Sequence, residues 1–329
     1  MAKKARYLQP AILNDVIAFL CHFGVTSSHP AMQVCLQLMM RHINNLALDQ
    51  LTVLTHGLSG MDDTRQTRVL REAIAVLCNT RGDQISCLSV ELKIYLLEEF
   101  GNRLQYTDQL LKSLWRDRRE LTKWQQAVGV FVALAKAAAA DTDGKRSLRR
   151  HEYLEAHCMD ILFQQYVWLD VDDVAALLNA FVQLGVYDAD LLRILGDHAR
   201  HKSSDLTSRL LVWNLLADSD YMHVGLMEAL LTELKTSDVH QLSVDTQLSL
   251  LAFLAEAVNY YHGHATSSDQ CFNDTISACV EELRRTLQTS ENVAAGKCLK
   301  CIINVQRGQK ALCIISLRLF FPNIYYSDY

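Results

Sequence analysis

The stretch AALLNAFVQLGVYDADLL, residues Ala175–Leu192, decides the fold. Its apolar residues recur with the period of an α-helix up to Leu184. Gly185 comes next, at the position where a left-handed helix end is easiest for glycine. After a short polar turn, a second apolar run follows in Ala189–His198. The stretch therefore predicts two helices joined by a tight turn.

A second copy of this pattern lies near the start of the chain, in Val16–Val25 (VIAFLCHFGV). Alignment of Gly24 with Gly185 places Leu20 on Phe181, and the flanking apolar positions also coincide. These positions form one apolar face of a helix. The match indicates an internal repeat, the feature to establish before any other aspect of the fold.

Weaker copies of the first helix end near residues 60, 101, 138, 218, 257 and 308. After each of them we expect a polar turn and a second amphipathic helix, as in Gln109–Arg118 and Tyr221–Leu234. The average interval of about 40 residues is typical of HEAT and armadillo helix pairs. One pair cannot bury its apolar face alone, whereas stacked pairs can. We predict an all-α fold, an α-solenoid of about eight helix-pair repeats of roughly 40 residues. The expected order is N-terminal repeats over 1–140, a basic linker over 141–152 and C-terminal repeats over 153–329.

Composition supports a folded helical chain and excludes several other classes. Hydrophobic residues make up 50% of the sequence and charged residues 21%, with only 3 prolines and 13 glycines. Intrinsically disordered chains are less apolar than this. No apolar run reaches the roughly 18 residues that span a bilayer, so we expect no membrane partner.

The cysteines and histidines do not form a recognisable metal site. The ten cysteines lack paired spacing, and free cysteines usually behave as small buried apolar residues in a reducing compartment. Cys298, Cys301 and Cys313 include a CxxC, but no second pair or nearby histidine completes a zinc tetrahedron. His262 and His264 stand in a polar segment without further ligands. We expect no metal and no cofactor.

Enzyme motifs are missing from the sequence. It contains neither of the glycine-rich phosphate-binding motifs GxxxxGK[ST] and GxGxxG. It also contains no GxSxG, no HExxH and no kinase motif set. We therefore expect a non-catalytic protein without catalytic residues or a small-molecule substrate.

Charge is distributed in blocks. Residues 1–111 have net charge 0, residues 112–150 have +6, residues 151–296 have −15 and residues 297–329 have +4. The basic block interleaves Trp115 and Trp124 with cations, a pattern suited to phosphates and unpaired bases. The candidate RNA-binding residues are Lys112, Arg116, Arg118, Arg119, Lys123, Lys145, Arg146, Arg149 and Arg150. A solvated linker between two halves of the array is the alternative interpretation.

Two other blocks suggest protein partners. The acidic block 151–296 suits a basic protein, because complementary charge gives specificity and steering. The C-terminal aromatic residues Phe320, Phe321, Tyr325 and Tyr326 are unlike the polar outer face of a terminal repeat. We predict that they form a protein interface, the alternative being that they fold back over the last helix pair.

The core pattern of Ala175–Leu192 resembles the degenerate helical repeats of octotricopeptide and FAST/RAP-domain proteins, which act in organellar RNA metabolism. The match is closest over Val174–Leu195, and no basic C-terminal domain of the RAP type follows. The resemblance implies a scaffold in a mitochondrial RNA-processing, RNA-editing or mitoribosome-associated complex. Its partners would be other protein subunits and single-stranded or structured RNA. The alternative is a HEAT/armadillo-like adaptor in the cytoplasm.

The composition of the N-terminal residues is relevant to the cellular compartment in which we expect the protein. Residues 1–14 contain Lys3, Lys4 and Arg6 and no acidic residue, which is compatible with the remnant of a mitochondrial transit peptide. A basic N-terminal tip explains the same composition. We expect the mitochondrial matrix, with the cytoplasm as the alternative.

Overall fold

A computed structural model describes residues 9–59, 61–62, 64–101, 104, 106–139, 152–202, 205–237, 239–263 and 270–288. Within these ranges the chain is helical and contains no strand, which confirms the all-α fold class. The α-helices are α1 Pro10–His22, α2 Pro30–His42, α3 Leu48–Ser59, α4 Arg65–Thr80, α5 Val90–Phe100, α6 Thr107–Arg116, α7 Trp124–Ala139, α8 Glu152–Gln165, α9 Val171–Leu184, α10 Ala189–Lys202, α11 Leu206–Asp218, α12 Val224–Leu234, α13 Val244–Gly263 and α14 Gln270–Gln288. None of the described helices is long and apolar enough to cross a membrane.

Local signals explain where several helices begin. Pro10 and Pro30 stand in the first turns of α1 and α2, where proline loses no helical hydrogen bond. A reciprocal capping box formed by Asp170 and Asp173 starts α9. Its two hydrogen bonds, 3.1 and 2.8 Å long, satisfy backbone donors that the helix cannot pair itself.

The two glycines that define the repeat in the sequence end their helices in the same way. Gly24 and Gly185 have φ angles of +67° and +62°, the left-handed region where glycine carries no Cβ penalty. The backbone N–H of Val25 donates to Leu20 over 3.0 Å, and that of Val186 donates to Phe181 over 3.0 Å. The aligned residues therefore make the same helix-ending hydrogen bond, which confirms the predicted caps.

Gly101, which ends α5, has a different role. Its backbone is right-handed, so no left-handed cap forms there. A Cβ at this position would lie 2.5 Å from the Leu97 carbonyl oxygen and 2.9 Å from the Ala137 Cβ. Glycine is required here because α5 and α7 approach closely.

The described helices belong to two compact units, Met1–Trp168 and Leu169–Tyr329. In the first unit, α1, α3, α5 and α7 contact one another in series, and each also packs on the helix that follows it in the chain. The second helices form further contacts, α2 with α4 and α6 with α8. In the second unit, α9, α11 and α13 form one series and α10, α12 and α14 another. Leucine side chains dominate the buried core of each unit.

Side-chain hydrogen bonds connect successive helix pairs, and three of them join residues at nearly the same sequence separation. Asn14 Nδ2 on α1 donates to the Gln50 carbonyl on α3 over 3.2 Å, a separation of 36 residues. Gln126 Nε2 on α7 donates to Glu91 Oε1 on α5 over 2.7 Å, a separation of 35. In the second unit, Asn214 Nδ2 donates to the Ser249 carbonyl over 3.4 Å, again 35 residues away. The spacing matches successive helix pairs.

Some helix limits differ from those expected from the sequence. The segment Gln109–Arg118 leaves the helix after Arg116, and Tyr221–Leu234 becomes helical only at Val224. Glu152, the last residue of the predicted linker, begins α8. Residues 141–151 of that linker lie outside the described residues.

Candidate nucleic-acid interface

The basic candidates in residues 112–123 lie along α6 and the turn that leads into α7. Lys112, Arg116, Arg119 and Lys123 are exposed, whereas Arg118 is half-buried. Beyond the described residues lie the candidates Lys145, Arg146, Arg149 and Arg150 and the predicted interface residues Phe320, Phe321, Tyr325 and Tyr326. The structure therefore locates five of the nine predicted RNA-binding residues.

Helix α6 separates its apolar and basic residues onto different faces. Leu110, Leu111 and Leu114 are fully buried and hold α6 against the rest of the unit. Lys112 and Arg116 stand one turn apart and remain in solvent. The amphipathic pattern thus positions two cations for contact with a ligand.

Arg118 stacks on Trp115. Its guanidinium carbon lies 4.3 Å from the centroid of the indole ring, and its Nη1 donates to the Trp115 carbonyl over 3.2 Å. A cation this close to an indole face gains a favourable cation–π interaction. The hydrogen bond fixes the guanidinium plane over the ring.

Helix α8 supports the turn that carries Arg118. His157 Nε2 lies 2.9 Å from the Arg118 carbonyl oxygen and 3.2 Å from that of Leu121. Since both neighbours are acceptors, this nitrogen carries the hydrogen and donates. Within the turn, the Leu121 N–H donates to the Arg118 carbonyl over 3.1 Å. The backbone at Arg118 is therefore fixed from two directions.

An ion pair between a buried lysine and a half-buried aspartate anchors the start of the same turn. The Lys93 side chain on α5 is 1% exposed, and its Nζ is paired with Asp117 Oδ2. Because a buried ammonium needs a partner, this pair ties Asp117 to the core. Because the lysine charge offsets that of the Asp117 carboxylate, this carboxylate repels an incoming phosphate less than an unpaired one would.

Tyr153, near the N-terminus of α8, extends the aromatic cluster. Its side chain is 77% exposed, and its ring centroid lies 5.9 Å from that of Trp115, with the ring planes tilted by 36°. Charge patterning in the sequence gives no sign of this residue, which belongs to the next helix pair. Only the contact between α6 and α8 brings it to the basic turn.

Trp124 and Lys123 lie at the other end of α8. Gln165 Oε1 accepts from the Trp124 N–H over 3.1 Å, and Gln165 Nε2 donates to the Thr122 carbonyl over 2.7 Å. From Tyr153 to Gln165 the helix rises roughly 18 Å. The structure therefore groups Trp115 with Arg118 and Tyr153 and places Trp124 apart from them.

The exposed carboxylate of Glu91 attracts Lys123 and so competes with a phosphate for this lysine. Its pKa is lowered mainly by a backbone hydrogen bond, and the Gln126 amide and the Lys123 charge add to the effect. Glu91 is thus an ionised carboxylate within reach of Lys123. Of the described candidates, Lys112, Arg116 and Arg119 are the more accessible cations for phosphate.

The described cysteines are largely structural. Cys35, Cys78, Cys158 and Cys279 are buried and free, whereas Cys87 is exposed. Burial raises the pKa of Cys78 and of Cys158 to about 12, which keeps these thiols protonated. Among the described residues no group of three potential ligands is arranged around a metal position. Cys298, Cys301, Cys313 and the side chains of His262 and His264 lie outside that set.

Comparison with known proteins adds no identification. A scan against protein-family models finds no match to this chain, and a search of curated proteins finds no relative.

Proposed function

We propose that this chain is a non-catalytic helical-repeat scaffold in a mitochondrial RNA-processing, RNA-editing or mitoribosome-associated complex. Its expected architecture is an α-solenoid of about eight helix pairs of roughly 40 residues each. The observation that carries the proposal is the recurrence of helix pairs tied at separations of 35 and 36 residues, as between Asn14 and Gln50. Stacked repeats provide an extended surface for several partners.

The distribution of charge supports two kinds of partner. In the first unit, Lys112, Arg116 and Arg119 are exposed on α6 and the turn after it, and Trp115 on the same helix contacts the exposed ring of Tyr153. Such a surface suits RNA, since cations attract phosphates and aromatic rings stack on bases. Residues 151–296 have net charge −15, and apart from α8 and the short turn after it they belong to the second unit, which would repel the same ligand.

The second unit offers a surface of the opposite sign. On α10, the Asp190 and Asp197 side chains are 81% and 46% exposed. The single cation between them, Arg193, lies 4.0 Å from Asp190 and 3.8 Å from Asp197. Tyr187, close by, is 59% exposed. The two exposed carboxylates outnumber the one arginine, and an exposed aromatic side chain lies near them in sequence, a combination that favours a basic protein partner.

The experiment that tests the proposal is affinity purification of the tagged chain from its own cells, with crosslinking mass spectrometry. We expect mitochondrial RNA-processing or mitoribosomal proteins to co-purify and lysines of a basic partner to crosslink near α10. The control is Asp190→Asn combined with Asp197→Asn, which should weaken the crosslinks near α10 without lowering protein abundance. Purely cytosolic localisation without RNA-processing proteins would contradict the proposal and favour a HEAT/armadillo-like adaptor.

A further inference from the structure

The Tyr153 ring is available to a flat ligand. Its side chain is 77% exposed, and it belongs to a helix whose inner face is held by the buried side chains of Leu154 and Cys158. The 36° tilt between Tyr153 and Trp115 means that the two rings do not close face to face on each other. An outer aromatic face therefore remains open.

Basic residues lie on the same helix as Trp115, the ring that Tyr153 contacts, and on the turn that follows it. Lys112, Arg116 and Arg119 are exposed, and Arg118 lies over the Trp115 ring. The exposed carboxylates nearest in sequence are those of Asp108, Glu120 and Glu152. The four positive charges exceed these three negative charges, and the surplus attracts a polyanion.

The site is also rigid before any ligand arrives. The His157 donation to the Arg118 carbonyl and the Lys93–Asp117 pair fix the turn, and the Arg118 Nη1 bond fixes the guanidinium. Groups that are already ordered lose little conformational freedom on binding. Aromatic and guanidinium planes are the groups on which unpaired bases stack.

We propose that Tyr153, Trp115 and Arg118 form a stacking site for an unpaired base of single-stranded RNA, with the neighbouring phosphates bound by Arg116 and Arg119. This inference rests on the RNA link in the proposed function and specifies its ligand. In a duplex the base faces are hidden by stacking within the helix, so the exposed ring selects single strands.

The test measures binding of the full chain to a fluorescein-labelled twelve-nucleotide oligouridylate by fluorescence anisotropy at low salt. Tyr153→Ala should lower affinity about 5- to 150-fold, the range for loss of one base stack. Tyr153→Phe keeps the ring and should bind as the unmodified chain does. Arg119→Gln should weaken binding and reduce the slope of log affinity against log salt by about 0.7, the value for one phosphate contact on a single strand.

A matched control is Tyr187→Ala, which removes another exposed tyrosine, 59% exposed, from the acidic block. It should leave RNA affinity unchanged. Thermal unfolding of each variant confirms that the fold is retained, as expected for a side chain as exposed as Tyr153. Equal affinity of Tyr153→Ala and the unmodified chain would overturn the stacking site, as would equally tight binding of a blunt RNA duplex.

Failure of this inference is distinguishable from failure of the proposed function. If the purified chain binds no RNA but RNA-processing proteins co-purify with it from cells, the stacking site is wrong and the scaffold remains. If it binds single strands through Tyr153 but is found only with cytosolic partners, the site holds and the proposed mitochondrial role is wrong.

Discussion

Gly196 on α10 lies directly against His223, the residue that caps the N-terminus of α12. A Cβ at position 196 would be 2.2 Å from His223 Cδ2 and 2.7 Å from its Nε2. His223 is 6% exposed and makes two hydrogen bonds. Its Nδ1 accepts from the Leu226 N–H over 3.0 Å, and its Nε2 donates to the Arg193 carbonyl over 3.2 Å. A glycine in the middle of a helix is thus required by a histidine that joins two successive helix pairs.

Replacement of Gly196 by alanine should destabilise the chain despite alanine's higher helix propensity. The added methyl group displaces a buried, doubly bonded ring, and overpacking of this kind costs about 1–3 kcal/mol. The matched control is Gly225→Ala on α12, where a Cβ would approach the flexible end of Arg200 at 3.0 Å. Urea unfolding should show a loss for Gly196→Ala and little change or a gain for Gly225→Ala. Equal effects of the two changes would contradict the packing argument.

Loss of the carboxylate of Asp117 should destabilise the first unit strongly. Asp117→Ala leaves the Lys93 ammonium, whose side chain is 1% exposed, without its partner. Breaking a fully buried pair costs about 3–5 kcal/mol, and because the Asp117 side chain is 34% exposed we expect a loss at the lower end of that range. Chemical denaturation of the double variant Lys93→Met with Asp117→Ala should recover most of that loss, since neither charge remains. A double variant as unstable as Asp117→Ala alone would show that the pair is not the cause.

The sequence predicts where helices lie better than it predicts which helices pack against one another. Gly24 and Gly185 identify helix ends correctly because a left-handed residue is a local requirement of the chain. Helix α8 is harder to recognise because its buried positions include the charged Glu155, which interrupts the apolar stripe. Gly101 shows the limit of the glycine signal, since its small size serves contact with α7 rather than a cap.

The candidate site is predictable only in part, for a similar reason. Lys112, Arg116 and Trp115 are neighbours on one helix, so their grouping follows from sequence spacing alone. Tyr153 and His157 belong to the next helix pair and reach the turn through tertiary contacts. Trp124 is near Trp115 in sequence, yet its backbone N–H is bound by Gln165 at the far end of α8. The spacing of residues along the chain does not predict these contacts, because they depend on how the helices pack.

His157→Ala should loosen the turn at Arg118. The change leaves the carbonyls of Arg118 and Leu121, at 2.9 and 3.2 Å, without this donor, and the loss of one such hydrogen bond costs about 1–3 kcal/mol. Thermal unfolding should show a lower transition temperature. The control is His201→Ala on α10, which removes an exposed histidine and should have almost no effect. Indistinguishable stabilities of the two variants would show that His157 does not support the turn.

The described cysteines should differ sharply in reactivity. Cys87 is exposed, whereas burial raises the pKa of Cys158 to about 12 and that of Cys279 to about 11. Since the thiolate is the reactive form, iodoacetamide at pH 8 should label Cys87 long before the other two. Peptide-level mass spectrometry of the native chain measures the order, and labelling in urea should abolish the difference. Rapid labelling of Cys158 in the native chain would contradict its burial.

Asp173 should make the stability of the second unit depend on pH. Burial raises its pKa to about 6, and the carboxylates of Asp170 and Asp172 add to the increase. In the unfolded chain the pKa of an aspartate is about 3.9. Between these values the folded state binds the proton more tightly, so this contribution to stability is complete below about pH 4 and is lost as pH rises through about 6.

Asp173→Asn removes the titrating group and keeps an oxygen that accepts the Asp170 N–H, whose bond is now 3.1 Å long. The free energy of unfolding of the unmodified chain, minus that of the variant, should therefore decrease as pH rises from about 4 to about 6 and change little above that. Urea unfolding of both proteins at matched pH values measures this difference. A difference that stays constant, or that grows with pH, would show that the Asp173 carboxylate is not destabilised in the folded chain.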